Sequence, residues 1–175
     1  MDRLQKVAIV LSLIDSLREN GSWAGETHVQ KAMYCLQEVA SVPTEFNFIL
    51  YKHGPFSFDL RDELTAMRAD GLLELKLTYP FGSKLFPTAS GKAVCARYPK
   101  TMVRYERQVS YIARGVGGKG VAELERLATA LYVTKTATSG DVDTRASSIC
   151  ELKPHIRRDQ AMDAVQAIDE LIAHL

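Results

Sequence analysis

The chain has 175 residues, 22 Lys and Arg against 21 Asp and Glu, 46% hydrophobic residues and three cysteines. That balance supports a sizeable core and excludes disordered and collagen-like classes. Cys35, Cys95 and Cys150 are odd in number, widely spaced and without a CxxC pair, so they predict reduced thiols rather than a disulfide framework or a zinc knuckle.

No apolar run reaches the roughly 20 residues of a membrane helix, and the charged start Met1 to Lys6 lacks the pattern of a cleaved leader. A cytoplasmic protein without a membrane partner is expected. Charge is unevenly spread. Residues 1–70 hold 7 basic and 10 acidic side chains (net −3), residues 71–119 hold 9 and 2 (net +7), and residues 120–175 hold 6 and 9 (net −3). The central basic strip is either a footprint for a polyanion or a docking face for the chain's own acidic parts.

In chain order, Leu4, Val7, Leu11, Ile14 and Leu17 recur at helical spacing, and Asn20-Gly21 stops that helix. A second helix is predicted from a Thr27 cap to about Ala40, with Val29, Met33 and Leu36 inward and Trp23 covering the junction. Phe46 to Tyr51 reads as a short extended segment. His53-Gly54-Pro55-Phe56-Ser57 then reads as a tight turn in which Gly54 takes positive φ and Ser57 caps a third helix. Leu60, Leu64 and Met67 form the inner stripe of that helix, and Asp70-Gly71 ends it.

Leu73, Leu75, Leu77 and Tyr79 alternate with polar residues, the period of a half-buried strand. With a turn at Pro80 to Ser83 and a return over residues 84–87, they predict a β-hairpin. A helix opens at Thr88. Residues 100–114 form a basic amphipathic stretch with Met102, Tyr105, Val109 and Ile112 inward, broken by the glycines of residues 115–120. Val121 to Leu131 is helical, a polar loop runs from Thr134 to Thr144, and a short element ends at Lys153-Pro154. The last helix places Ala161, Ala164, Val165, Ile168, Leu171 and Leu175 inward.

Three helices followed by a hairpin is the order of a winged helix-turn-helix. The expected fold is therefore mainly α with a small β-hairpin. A winged-helix-like domain occupies residues 1–98, and a C-terminal helical region over 99–175 forms a bundle packed on it or a dimerisation region. The segment Tyr51-Lys52-His53-Gly54-Pro55-Phe56-Ser57-Phe58-Asp59-Leu60, followed by Leu64 and Gly71-Leu72-Leu73, resembles the core of YwgA-like proteins. More remotely it is similar to the Panacea or SocA-type antitoxin domain. Glu123 to Val133 and the Lys153-Pro154 pair also resemble later blocks of the YwgA-like pattern. The resemblance implies a non-enzymatic bacterial or phage regulator, antitoxin or adaptor, whose partner is a toxin or regulatory protein.

A recognition helix for DNA needs cationic or amide side chains, but residues 57–71 hold four acidic residues against Arg61 and Arg68. Nucleic acid, if bound, would be gripped through the hairpin and the helices after it, by Lys76, Lys84, Lys92, Arg97, Lys100, Arg104 and Arg107. A DNA-binding transcription regulator is thus the alternative to a protein-binding module. His28, His53, His155 and His174 lack metal-ligand spacing and read as surface or turn residues. Gly115 to Gly120 lacks the first glycine and the Ser or Thr of a phosphate loop. No catalytic residue, metal or cofactor is predicted, although a cleft around Tyr51, His53 and Tyr79 would carry an enzyme reading.

Overall fold

Asp2 accepts the amide of Gln5 while the Gln5 side chain accepts that of Asp2, a capping box that opens helix α1 (Arg3–Glu19) in the computed structural model, which describes residues 1–79, 82–136 and 140–175. Val7 to Leu11, Leu13, Ile14 and Leu17 are all buried, so α1 is the central post of the core. Helix α2 (Glu26–Glu38) begins two residues earlier than the Thr27 cap would place it. Its N-cap is Gly25, and Thr27 lies inside the helix. Position 25 itself suits a glycine, since a Cβ there would stand 3.1 Å from the Ser83 carbonyl oxygen and 3.3 Å from Trp23 Cδ1.

Residues 46–48 carry no regular structure, and strands β1 (Ile49–Tyr51) and β2 (Gly54–Phe56) pair antiparallel, Ile49 opposite Phe56 and Tyr51 opposite Gly54. The predicted His53–Ser57 turn is therefore the second half of a hairpin whose bend lies at Lys52-His53. Helix α3 (Phe58–Ala69) starts at the predicted cap, with Ser57 Oγ accepting the Leu60 amide, and buries Leu60, Leu64 and Met67. Gly71 closes it at φ +69.

Strands β3 (Leu73–Thr78) and β4 (Gly82–Pro87) form the predicted second hairpin. Pro80 and Phe81 of its turn lie outside the described residues. The alternation does not produce a half-buried strand: Leu73 is buried, but Leu77 and Tyr79 are 85% and 98% exposed, because the hairpin projects beyond the core.

Helix α4 (Ala89–Arg97) is capped by Thr88, and its Gly91 lies so close to the Leu72 carbonyl that a Cβ would stand 2.3 Å from it. Helix α5 (Pro99–Val116) runs two residues past the expected break. Gly115 lies within its last turn and Gly117 is its C-cap; a Cβ would fall 2.7 Å from Leu171 at the first and 2.8 Å from Asn20 at the second. Helices α6 (Val121–Thr136) and α7 (Val142–Leu152) invade both ends of the predicted polar loop, whose residues 137–139 lie outside the described part. Helix α8 (Arg158–Ala173) buries Ala161, Ala164, Val165 and Ile168, while Leu175 stays exposed beyond its end.

The described chain is thus mainly helical, 66% helix in eight helices with two antiparallel strand pairs. One apolar cluster joins Leu11 and Met33 to Ile112, Leu131 and Ile168, so the core crosses the boundary at residue 98. Among the described residues no helix is long and apolar enough to cross a membrane.

Candidate functional site

The β1–β2 hairpin is where most of the chain's buried polar chemistry converges. Gln30 of α2 is wholly buried and uses both ends of its amide on Ser57: its Nε2 donates to the Ser57 carbonyl and its Oε1 accepts the Ser57 amide, both at 2.9 Å. The side chain thereby acts as a strand partner for a residue that has none in β2. One residue along, Lys31 Nζ donates to the Pro55 carbonyl at 2.7 Å. From the opposite side Lys153, which follows α7, donates to the carbonyls of Tyr51 (2.5 Å) and Lys52 (2.7 Å).

Glu125 of α6 completes the cluster. Its side chain is 10% exposed, with Oε1 3.1 Å from His155 Nε2 and Oε2 3.7 Å from His53 Nδ1. Burial is the main influence on Lys31 and pushes its ammonium down to about 8, with Glu125 holding it up in part. Every ammonium of the cluster is spent on a main-chain carbonyl of the hairpin, and the carboxylate is flanked by two imidazoles. The arrangement fixes a backbone conformation. Among the described residues, no group of three His, Cys, Asp or Glu is placed to hold a metal ion.

Gly54 is required twice. Its φ is +81, and a Cβ would stand 3.1 Å from Thr129 Oγ1 and 3.3 Å from the Glu125 carbonyl, so β2 rests directly on α6. Gly54→Ala is expected to cost about 1–2 kcal/mol from the left-handed backbone alone. A urea unfolding midpoint unchanged from the natural protein would contradict this.

The clamped inner side leaves an aromatic outer side. Ile49 and Tyr51 share one face of β1, and Phe56 lies opposite Ile49. The rings of Tyr51, Phe56 and Phe58 stand in mutual contact with centroids 5.2 to 5.8 Å apart, and the Arg61 guanidinium lies 5.0 Å above Phe58. Tyr51 is 53% and Phe58 39% exposed.

The acidic α3 beside this patch is less bare than its sequence implies. Arg3 pairs with both Glu63 and Asp70, Arg61 with Asp62, and Asp59 accepts the Asn47 side-chain amide at 2.9 Å.

Of the seven cations assigned to a polyanion, Lys76 and Lys84 stand opposite each other across the β3–β4 hairpin. Lys76 pairs with Glu74 at 3.0 Å, Lys84 sits 3.8 Å above the Trp23 ring, and Arg107 donates to the Leu175 carbonyl. Lys92 lines a groove of about 540 Å³ shared with Asp15, Glu19 and Glu106. Arg97 is exposed on the last turn of α4. Lys100 and Arg104 do meet, around a cavity of about 340 Å³ with Gln5 and Pro43.

His28 is buried in α2 rather than lying at the surface or in a turn, and its imidazole is pushed toward the neutral form by burial. His155 and His174 are exposed, although His155 reaches Glu125. Tyr79 is almost fully exposed at the far end of β3, so it forms no cleft with Tyr51 and His53. Cys35, Cys95 and Cys150 are free thiols. Gln30 and Lys31 carry no motif in the sequence, and Glu125 and Lys153 stand out only by lying in the stretches that resemble later YwgA-like blocks.

Fold and site together define a mainly helical protein that displays a clamped aromatic hairpin. No protein-family model matches the chain, and a search of the curated proteins found no match.

Proposed function

We propose that the chain is a cytoplasmic, non-enzymatic protein-binding module, an antitoxin-like regulator or adaptor, and that its partner docks on the β1–β2 hairpin and the start of α3. The observation that carries this reading is the ring cluster of exposed Tyr51 and Phe58 with half-buried Phe56, and Arg61 over Phe58. Aromatic residues and arginine are what the cores of protein interfaces concentrate, and a surface fixed before binding loses little conformational entropy on docking. The buried clamp of Gln30, Lys31 and Lys153 supplies that rigidity. The resemblance of residues 51–60 to YwgA-like and Panacea or SocA-type proteins points the same way.

In this reading the helices α1–α3 and the hairpin β3–β4 are a winged-helix scaffold in which the connection from Val39 to Ser57 has gained a whole hairpin. A helix-turn-helix that reads DNA keeps that turn to three or four residues. The insertion turns the scaffold from groove reading toward protein docking.

The test is affinity capture from the cells that make the protein, paired with a duplex DNA titration. The natural protein should retain a partner protein, and the double variant Tyr51→Ser with Phe58→Ser should lose it by about tenfold or more, as interface anchors do. Charge reversal at Lys100 and Arg104 should leave that capture unchanged. Tight, salt-dependent DNA binding that falls on this reversal, with no protein captured, would replace the reading by that of a DNA-binding regulator.

A further inference from the structure

The β3–β4 hairpin is a two-stranded sheet, and its two long edges differ. The edge of β4 is occupied, since the Leu85 amide donates outward to the Ala24 carbonyl at 3.0 Å. Leu85 faces Leu75, so this facing pair is one that makes no hydrogen bonds within the hairpin, and the main-chain groups of Leu75 also point outward. The same parity holds two residues away on either side. Leu73 faces Pro87, which has no amide to give, and Leu77 faces Ser83. Leu72 and Thr88, in the alternate phase, are bonded to each other at 3.0 Å. The outer edge of β3 therefore presents the amides and carbonyls of Leu73, Leu75 and Leu77, and among the described residues no main-chain bond outside the hairpin reaches Leu75 or Leu77.

Edges of this kind are ordinarily protected by charge of one sign or by a covering segment. β3 instead alternates Glu74 and Lys76 between its leucines, and the two are exposed and bonded to one another at 3.0 Å. That pattern is complementary to its own reverse. We propose that a second copy of this chain adds to the outer edge of β3, antiparallel about a two-fold axis at Leu75, to make a continuous four-stranded sheet.

In that register Leu75 exchanges both main-chain bonds with the partner's Leu75. Glu74 lies opposite the partner's Lys76, and Lys76 opposite the partner's Glu74, in the closer of the two antiparallel spacings. Leu77, 85% exposed in the single chain, comes to lie opposite the partner's Leu73, at the buried foot of its hairpin. Moving the axis by one residue to Lys76 would keep the leucine main-chain groups in phase but set the two Lys76 ammonium groups directly opposite each other in the closer spacing, where like charges repel. The interface is isologous, so the same three leucines and two charges satisfy both copies. This surface is distinct from the aromatic hairpin, and its occupation does not depend on what that hairpin binds.

Sedimentation of the pure protein over a concentration series tests the proposal, with the Glu74→Lys and Lys76→Glu variants alone and mixed. Both side chains are exposed, so each variant keeps its fold, which circular dichroism verifies. The natural protein should reach a dimer. Each variant alone places like charges opposite one another twice and should self-associate about tenfold more weakly or worse. An equimolar mixture restores both opposite-charge pairs and should recover the dimer. A natural protein that stays monomeric throughout, a dimer indifferent to both substitutions, or a mixture that fails to re-form it would each overturn the proposal.

Discussion

Gln30→Leu should remove about 1–3 kcal/mol of folding stability although it keeps the volume and apolar packing of the site. Gln30 and Ser57 are both wholly buried, and the single glutamine amide serves the Ser57 carbonyl and the Ser57 amide together. Leucine leaves the Ser57 carbonyl its bond from the Arg61 amide but strands the Ser57 amide, and an unpaired buried main-chain group costs on the order of 1–3 kcal/mol. The effect concentrates on one point, because Ser57 is also the cap of α3 and lies between Phe56 and Phe58. Hydrogen exchange at the Ser57 and Leu60 amides should accelerate together with the fall in the urea midpoint. A leucine variant as stable as the natural protein would mean that the clamp contributes nothing.

Lys31→Met should abolish a rise in stability that the natural protein shows above pH 8. Burial lowers the Lys31 ammonium from 10.5 to about 8 in the folded state. Below pH 8 both folded and unfolded chains carry the proton, and the folded state bears the full cost of burying it. Between about 8 and 10.5 the unfolded chain holds more protons, so stability climbs with pH, by about 3 kcal/mol across the whole interval.

Two buried neighbours act in the opposite sense. The Cys35 thiol is pushed up from 9.0 to about 12 by burial, so its contribution is complete below pH 9 and is lost as pH rises toward 12. The Tyr34 phenol is raised above 10.0, again chiefly by burial, and its contribution fades above that pH. The natural protein should therefore climb from pH 8 to about 9 and then level off. The difference between it and Lys31→Met should keep growing to about 10.5. Parallel stability curves for the two proteins from pH 7 to 10.5 would contradict the argument.

What the sequence made legible is what depends on near neighbours. The Ser57 cap, the positive φ of Gly54, the inner stripe Leu60, Leu64 and Met67, and the β3–β4 hairpin follow from spacing and from residue types with narrow conformational roles. On α2 periodicity finds Val29, Met33 and Leu36, but every residue from His28 to Leu36 is buried. A helix surrounded on all sides has no polar face, and nothing in the spacing of Gln30 and Lys31 points to their partners at Ser57 and Pro55. Lys153 and Glu125 were hidden for a related reason. Their targets are main-chain carbonyls and imidazoles about thirty or a hundred residues distant in sequence, and such contacts leave no local pattern. The charge count of the basic strip says nothing of the groups its cations meet, which are Glu74 for Lys76, the Trp23 ring for Lys84, the acidic groove for Lys92 and the Leu175 carbonyl for Arg107.

Photo-crosslinking in the cells that make the protein, with the reactive side chain installed at Phe58 in one variant and at Arg104 in another, compares the aromatic hairpin directly with the basic stripe of α5. The account predicts a discrete protein adduct from position 58 and none with nucleic acid from position 104. A nucleic-acid adduct at 104 with position 58 silent would contradict it.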